Sequence, residues 1–539
     1  MSINIICSTR LLHVRMTCAA MLLLSQTCFS AASSTGDVTT ESHLAVQSPS
    51  HTTGINAMLT RLYSRDPPEW LAYTQEQARL AVRLLGNADT HGLNPEHYDA
   101  DSLVRRLDQL RNGVPDDSFE RDLSRAMLQY LADVHFGRVG SPYRTTLAPT
   151  AEPDLVENLR NAVNERRVSQ VVDAAAPALL LYDRVRKTLA QYRELARMAS
   201  QWPALPPVGR TGLVAGTPYA GTAVLYDRLR LLGDLADETV VADNQVYSAE
   251  LAAAVRRFQA RHGLAEDGVL GSDTLAALSV PLAQRVEQLT LTLERLRWLP
   301  AQSQSRIVAI NVPAYRLWAV DLGDAPNLAI EMRVIVGKAV TTPTPLFIGQ
   351  MRHLEFNPFW NVPRSIEVGE IAPKLARNPN YLQENDMELV STRGQPVSMT
   401  GAEARTRIRS GTVRVRQRPG AKNVLGEVKF AMPNPMNIYL HSTSSKELFE
   451  RTRRDLSHGC IRVERPAELA RFVLDDQEKW SADKVAAAMR PGPPRKVVLA
   501  APIPVVLFYA TAITDRNGRA VFAHDIYGLD LPLLRVLTR

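Results

Sequence analysis

Apolar residues recur at helical spacing through the first half of the chain. Leu123, Met127, Tyr130, Leu131 and Val134 fall three or four positions apart, which puts them on one face of a helix. Gly137 and Gly140 then stop that helix. Leu80, Val82, Leu84 and Leu85 form another apolar cluster. A further helix is expected from Leu179 to Trp202, ended by Pro203. The pattern predicts a helical scaffold domain over residues 51–215, with no constellation of catalytic side chains.

A compact three-helix unit is expected over 216–285. Leu225, Leu229 and Leu232 mark its first helix. Ser248 is an N-cap for the second, which runs through Leu251, Val255 and Phe258. The turn-dense stretch His262 to Gly271 leads to the third, from Ser272 to Leu278. A linking helix is expected within 286–304.

Beyond residue 305 the apolar period shortens to two. Ile307 to Val320 reads as one strand, with Pro313 at an edge or bulge. Met332 to Val336, Thr412 to Val415, Val428 to Met432, Asn437 to His441 and Cys460 to Val463 read as further strands. Residues 364–405 carry helical signals, Ile366 to Leu375, and few strand signals. They are expected to form an insertion lying over the neighbouring strands as a lid. Arg405, Arg407, Arg409, Arg414, Arg416 and Arg418, with Val413 and Val415 between them, predict one solvated strand face. Lys496 to Tyr527 reads as two strands joined at Asp515–Gly518, an Asn-Gly hairpin signal. The chain is thus an α+β multidomain protein. A mostly β domain with a helical lid insertion spans 305–530, and 531–539 form a tail.

Composition narrows the picture. At 539 residues, 45% apolar and 22% charged, the chain can bury several cores without covalent staples. Lys and Arg number 63 against 56 Asp and Glu, a mixed surface and not a nucleic-acid footprint. Residues 1–32 look like a cleaved export signal: Arg10 and Arg15, an apolar stretch from Met16 to Leu24, then Ser30-Ala31-Ala32. Residues 33–50 read as a disordered lead. Three of the four cysteines, Cys7, Cys18 and Cys28, fall inside the signal. Only Cys460 would remain. A lone thiol in an oxidising compartment is a liability unless it is buried or used.

Cys460 sits in the segment IYLHSTSSKELFERTRRDLSHGCIRVERP. His441 is followed after 15 residues by Ser457-His458-Gly459-Cys460-Ile461-Arg462. A thiol attacks an amide as thiolate, and a free cysteine has a pKa of about 8.5, so an imidazole must help it. Two histidines compete. His458 shares a strand with Cys460, about 6.6 Å away along the chain. His441 ends a separate strand, and pairing beside Cys460 would bring the Cβ atoms to about 4.5–5.5 Å. That favours His441 as base and predicts an ion pair. Gly459 would let the N–H groups of His458, Gly459 and Cys460 converge on a developing oxyanion. A zinc site is disfavoured, since these residues lack ligand spacing and a fourth partner. No metal or cofactor is expected.

This signature resembles that of the L,D-transpeptidase catalytic domain. NVPAYRLWAV, RVIVG, TPTP, FNPFWNVPRSI and RQRPGAKNVLGEVKF resemble its large periplasmic branch, over roughly 305–530. VRRFQARHGLAEDGVLGSDTLAAL resembles a three-helix peptidoglycan-binding module, through Phe258, Gln259, Gly263, Leu264, Asp267, Gly268 and Gly271. The resemblance implies Cys460 as nucleophile and His441 as proton donor and acceptor, oriented by the backbone carbonyl of Ser442. Relatives often carry Asp there, which leaves the Ser442 side chain without an assigned role. His458 and Gly459 would supply the oxyanion hole, while Arg462, Tyr439 and Ser457 would bind substrate. The implied reaction joins peptidoglycan stem peptides, donor and acceptor, by 3→3 cross-links through a thioester. The implied setting is the periplasm, as a monomer, alongside other wall-synthesis enzymes. Two alternatives stay open. One is an L,D-carboxypeptidase of the same fold, with water as acceptor. The other is a wall-binding scaffold protein without catalysis.

Overall fold

The computed structural model describes residues 51–64, 71–110, 116–141, 153–198, 203–236, 245–299, 306–322, 327–399, 401–476 and 478–538. The expected signal and lead lie outside them. No helix among the described residues is long and apolar enough to cross a membrane.

Among the described residues, the N-terminal part is formed by helices α1 (His51–Leu62), α2 (Gln75–Gly86), α3 (Ala100–Gln109), α4 (Asp117–Phe136), α5 (Leu155–Asn164), α6 (Val168–Ala175) and α7 (Leu180–Met198). Leu85, Leu123, Met127, Leu131, Leu159 and Val172 meet in one core. Thr74 and Gln77 start α2 with a reciprocal capping box. Gly137, at φ +79°, ends α4 where an L side chain would be strained.

The three-helix unit follows the expected plan, with α8 (Thr222–Leu231), α9 (Ala249–Arg261) and α10 (Ser272–Leu278). Two short antiparallel strands, β1 (Thr217–Pro218) before α8 and β2 (Val246–Tyr247) before α9, pair with each other. Buried Gln259 holds the turn together. Its Nε2 donates to Asp267, Val269 and Thr274, and its Oε1 accepts from the Gly268 amide. The linking helix, α11 (Leu282–Arg297), starts earlier than its apolar pattern suggests, and its Leu289 and Leu293 pack with Leu189 and Tyr192 of α7.

The C-terminal domain opens with β3 (Arg306–Asn311), β4 (Arg316–Asp321), β5 (Asn327–Gly337) and β6 (Phe347–Phe356). The single strand expected over 307–320 is in fact the β3–β4 hairpin. Pro313 lies in its turn, where Tyr315 takes φ +52°.

An insertion then runs from β7 (Trp360–Asn361) through α12 (Arg364–Ile366), a π-helical turn (Glu367–Ile371), α13 (Ala372–Arg377), α14 (Tyr381–Glu384), β8 (Met387–Ser391), β9 (Pro396–Val397) and α15 (Gly401–Ser410) to β10 (Val413–Gln417). It is wider than 364–405. It has its own four-stranded sheet, ordered β7-β10-β8-β9, and its own core around Ile371, Leu375, Leu389, Ile408 and Val415. The arginine run does not form one strand face. Arg405, Arg407 and Arg409 lie on helix α15, while Arg414 and Arg416 on β10 and Arg418 just beyond it pair with Glu367 or Glu388.

The barrel resumes with β11 (Val428–Ala431), β12 (Leu440–His441), β13 (Asp455–Ser457) and β14 (Ile461–Val463). Helices α16 (Pro466–Leu474) and α17 (Ala482–Met489) lead to the long β15 (Arg495–Phe508). The strand order is β13-β5-β14-β12-β11-β6-β15-β3-β4, and β4 also pairs with β5, which closes the sheet on itself. Val497, Leu354, Phe430, Leu440 and Ile461 form a cross-strand row that faces the enclosed core. A short hairpin, β16 (Ala512–Thr514) and β17 (Ala520–Phe522), packs against α7 and α11. The expected tail is a helix, α18 (Asp530–Leu537), whose Asp530 pairs with Arg295 of α11.

Candidate active site

Strand register assembles the site. β12 runs parallel to β14, with Leu440 opposite Ile461 and His441 opposite Arg462. The Ile461 amide donates to the Tyr439 carbonyl at 3.1 Å. Side chains alternate along a strand, so the buried Leu440 and Ile461 face the core. Tyr439, His441, Cys460 and Arg462 therefore share the opposite face, under the inserted lid. The row continues across the sheet through Lys429 of β11, Glu355 of β6 and Lys496 of β15.

His441 is buried, and its Nδ1 lies 2.5 Å from the Ser442 carbonyl oxygen. A carbonyl only accepts, so Nδ1 carries the proton and Nε2 keeps the lone pair. Burial pushes the imidazole pKa down to about 3, and the neighbouring Arg462 charge adds to this. The Ser442 hydroxyl donates to Glu427 and takes no part with the ring.

The Cys460 thiol is partly covered and donates to the Asn437 carbonyl at 3.7 Å. Burial raises its pKa. The Tyr439 hydrogen bonds and the charges of Lys429 and Arg462 oppose that without reversing it. The Tyr439 hydroxyl bonds the thiol and in turn meets Trp360 of the lid. Burial and that thiol hold the Tyr439 hydroxyl well above its usual range. Lys429 stands 4.9 Å from the Tyr439 ring and 3.4 Å from Glu355. Burial thus disfavours both charged forms, thiolate and imidazolium, which weighs against the expected ion pair.

The loop that carries Cys460 is braced from within. Ser457 is buried, so it does not face substrate as expected. Its hydroxyl donates to the Cys460 carbonyl and accepts from the Gly459 amide at 3.1 Å. That amide is therefore turned inward and is not free to serve an oxyanion. Gly459 takes φ +106°, a conformation reserved for glycine. Thr344 donates to the Gly459 carbonyl at 2.8 Å and Thr342 to the Ser457 carbonyl at 3.1 Å. Tyr527 ties the Thr344 amide to the Gly337 carbonyl.

His458 points away from the thiol. Its Nε2 lies 2.6 Å from Glu370 of the lid's π turn. Burial opposes the Glu370 charge, but His458 and Lys374 outweigh it and hold the carboxyl below its usual range. Arg462 has a buried Nε with no hydrogen-bond partner, and burial lowers its pKa.

Sequence reasoning missed Lys429, Trp360, Glu370, Asn437 and Tyr527. Thr342 and Thr344 were visible only as part of the TPTP string.

Comparison with known proteins agrees with this architecture. Residues 305–497 match the family described as "L,D-transpeptidase catalytic domain", of the YkuD type. Residues 223–278 match "Putative peptidoglycan binding domain", and 57–189 match "Scaffold domain". The chain therefore combines a YkuD-type L,D-transpeptidase catalytic domain with a peptidoglycan-binding domain behind a helical scaffold. A Haemophilus influenzae protein named "Putative L,D-transpeptidase" is 33% identical over 248 residues, 45% of this chain and 48% of the relative. The match thus spans about half the length of that curated relative.

Proposed function

We propose that this protein is a cysteine acyltransferase of the bacterial wall, an L,D-transpeptidase that forms 3→3 cross-links between peptidoglycan stems. One observation carries the reading: β12 and β14 bring Tyr439, His441, Cys460 and Arg462 onto one covered face.

In this reading the thiol gives its proton to His441 Nε2 as Sγ attacks the carbonyl of the third stem residue. The Ser442 carbonyl steadies the imidazolium through Nδ1–H. The amides of Cys460 and His458 take the oxyanion, since the Gly459 amide is engaged by Ser457. The C–N bond to the terminal D-alanine breaks, and the imidazolium protonates the leaving amine. An acceptor amine then attacks the thioester, its proton passes through His441, and the thiol is released. Arg462 takes a donor carboxylate. Tyr439, roofed by Trp360, helps keep water from the thioester, which favours an amine acceptor over hydrolysis. The helical module would hold the wall polymer, and the segment at 1–32 would direct the chain to the periplasm.

Incubation with disaccharide-tetrapeptide tests this. Cross-linked dimer is expected from the wild type and none from Cys460→Ala or Cys460→Ser. Tripeptide alone would make the protein a carboxypeptidase. Dimer from purified Cys460→Ala would sink the mechanism.

A further inference from the structure

The lid touches the nucleophile loop through a carboxylate that the reaction does not require. The first helix of the insertion is interrupted by the π turn Glu367–Ile371, an irregularity that costs regular hydrogen bonding and tends to occur where a side chain must be re-aimed. Glu367 is fully buried and anchors this turn. Its carboxylate accepts from Arg414 Nε at 2.9 Å and from the Val415 amide at 2.7 Å. Glu370, three residues on, reaches out of the lid instead. Its Oε1 meets His458 Nε2 at 2.6 Å, and its Oε2 lies 3.6 Å from Lys374 Nζ. The anchor fixes where the second carboxylate must point.

His458 is two residues from Cys460, across Gly459, whose positive φ suits glycine alone. On its inner side the loop is pinned by Thr342, Thr344 and Ser457. On the outer side Glu370 holds it. Among the described residues, the amides of His458 and Cys460 make no hydrogen bond within the protein. Their direction is set by the loop alone.

We propose that Glu370 is a positioning residue: by holding His458 from the lid, it fixes the nucleophile loop so that the amides beside Cys460 point at the developing oxyanion. This rests on the acyl-transfer reading above and adds a residue to it. Glu370 touches neither thiol nor substrate. It couples lid closure to oxyanion stabilisation, so that the site is complete only when the lid is seated.

The test compares Glu370→Ala and Glu370→Gln with wild type in the full chain, using three measurements. Acylation of Cys460 by meropenem needs the oxyanion donors. Alkylation by iodoacetamide needs only the thiol. Hydrogen exchange of the 455–462 peptide reports the loop itself. Misplacement of catalytic groups by an ångström or so costs up to about a hundredfold, so Glu370→Ala is expected to slow acylation by about ten- to a hundredfold. Alkylation should keep its rate, and exchange of the peptide should quicken. Glu370→Gln, whose amide oxygen still accepts from His458, should recover most of the acylation rate. Acylation of Glu370→Ala at the wild-type rate, or unaltered exchange, would overturn the proposal. So would a parallel fall in acylation and alkylation, which marks general damage to the thiol site. A wild-type protein that no β-lactam acylates would instead defeat the acyl-transfer reading, and the exchange measurement would still decide whether Glu370 holds the loop.

Discussion

His441 lies opposite Arg462 in the parallel β12–β14 pair, so a guanidinium two residues beyond the thiol stands beside a buried imidazole. A fixed positive charge next to a base penalises its protonated form. Burial penalises it further, and together they bring the imidazole pKa to about 3. The same guanidinium pulls the thiol down, but burial keeps Cys460 above its ordinary value. The site is therefore poised to move a proton during attack and does not store a charge pair beforehand.

The pH dependence of thiol reactivity follows. An imidazole with a pKa of about 3 is neutral, with its one proton on Nδ1, above roughly pH 5. A raised thiol keeps its proton through neutrality. Alkylation by iodoacetamide should therefore be slow at pH 6–7 and rise only at or above the free-thiol range of about 8.5. His441→Gln removes no charge at neutral pH, so it should leave that midpoint nearly in place while abolishing acyl transfer. His458→Ala should also leave it in place, since its ring bonds Glu370. A rate already at its plateau by pH 7 would show that the ion pair exists after all.

Arg462 carries a second prediction. Its buried Nε has no partner, and burial already disfavours its charge. A carboxylate arriving from substrate would satisfy both deficits. Hydrogen bonds to charged groups contribute about 1.5–3 kcal/mol, so Arg462→Lys, which keeps the charge but loses the planar fork, should raise KM by about ten- to a hundredfold. The effect on kcat should be smaller. Steady-state kinetics on tetrapeptide would refute this if KM stayed constant while kcat collapsed.

The candidate nucleophile and base were legible as a pair because both lie in one short segment, from His441 to Arg462. The supports could not. Glu370 is 88 residues from His458, and Tyr527 is 183 from Thr344, and neither has a local signal. The β3–β4 hairpin was hidden because the apolar positions continue with little break, from Val308, Ile310 and Val312 to Tyr315, Leu317 and Ala319, and only a one-residue slip of phase marks the turn. The lid was read too narrowly for a related reason. Its strands are two to five residues long and pair only with each other, so period alone cannot mark them. Spacing also says nothing about desolvation, which disfavours both charged forms at this site.

The last prediction concerns the peptidoglycan-binding module, whose sequence suggests a detachable unit. Its packing says otherwise. Arg261 of α9 is buried, bonds Asp234 through Nε at 2.9 Å, and donates through Nη1 to the Ala520 carbonyl of the catalytic domain's hairpin at 2.6 Å. His262 stacks on Phe258 and lies 5.4 Å from the Phe522 ring, while Arg285 of α11 covers Phe522 at 4.4 Å. The hairpin also bonds Thr188 of α7 through Thr514 at 2.8 Å. Deleting residues 222–280 would strip one wall from this cluster and expose Phe522. Sacculus binding and acylation by a small β-lactam should then fall together, with a lower melting temperature. Arg261→Ala is the gentler probe. It leaves the Asp234 carboxylate buried without its cation, a loss of about 3–5 kcal/mol for a broken buried pair. A matching drop in stability, measured by denaturant unfolding, is expected without any change to residues that contact the wall polymer. Should the deletion variant melt and acylate like the full chain, the module is a tether, and the hairpin contacts are incidental.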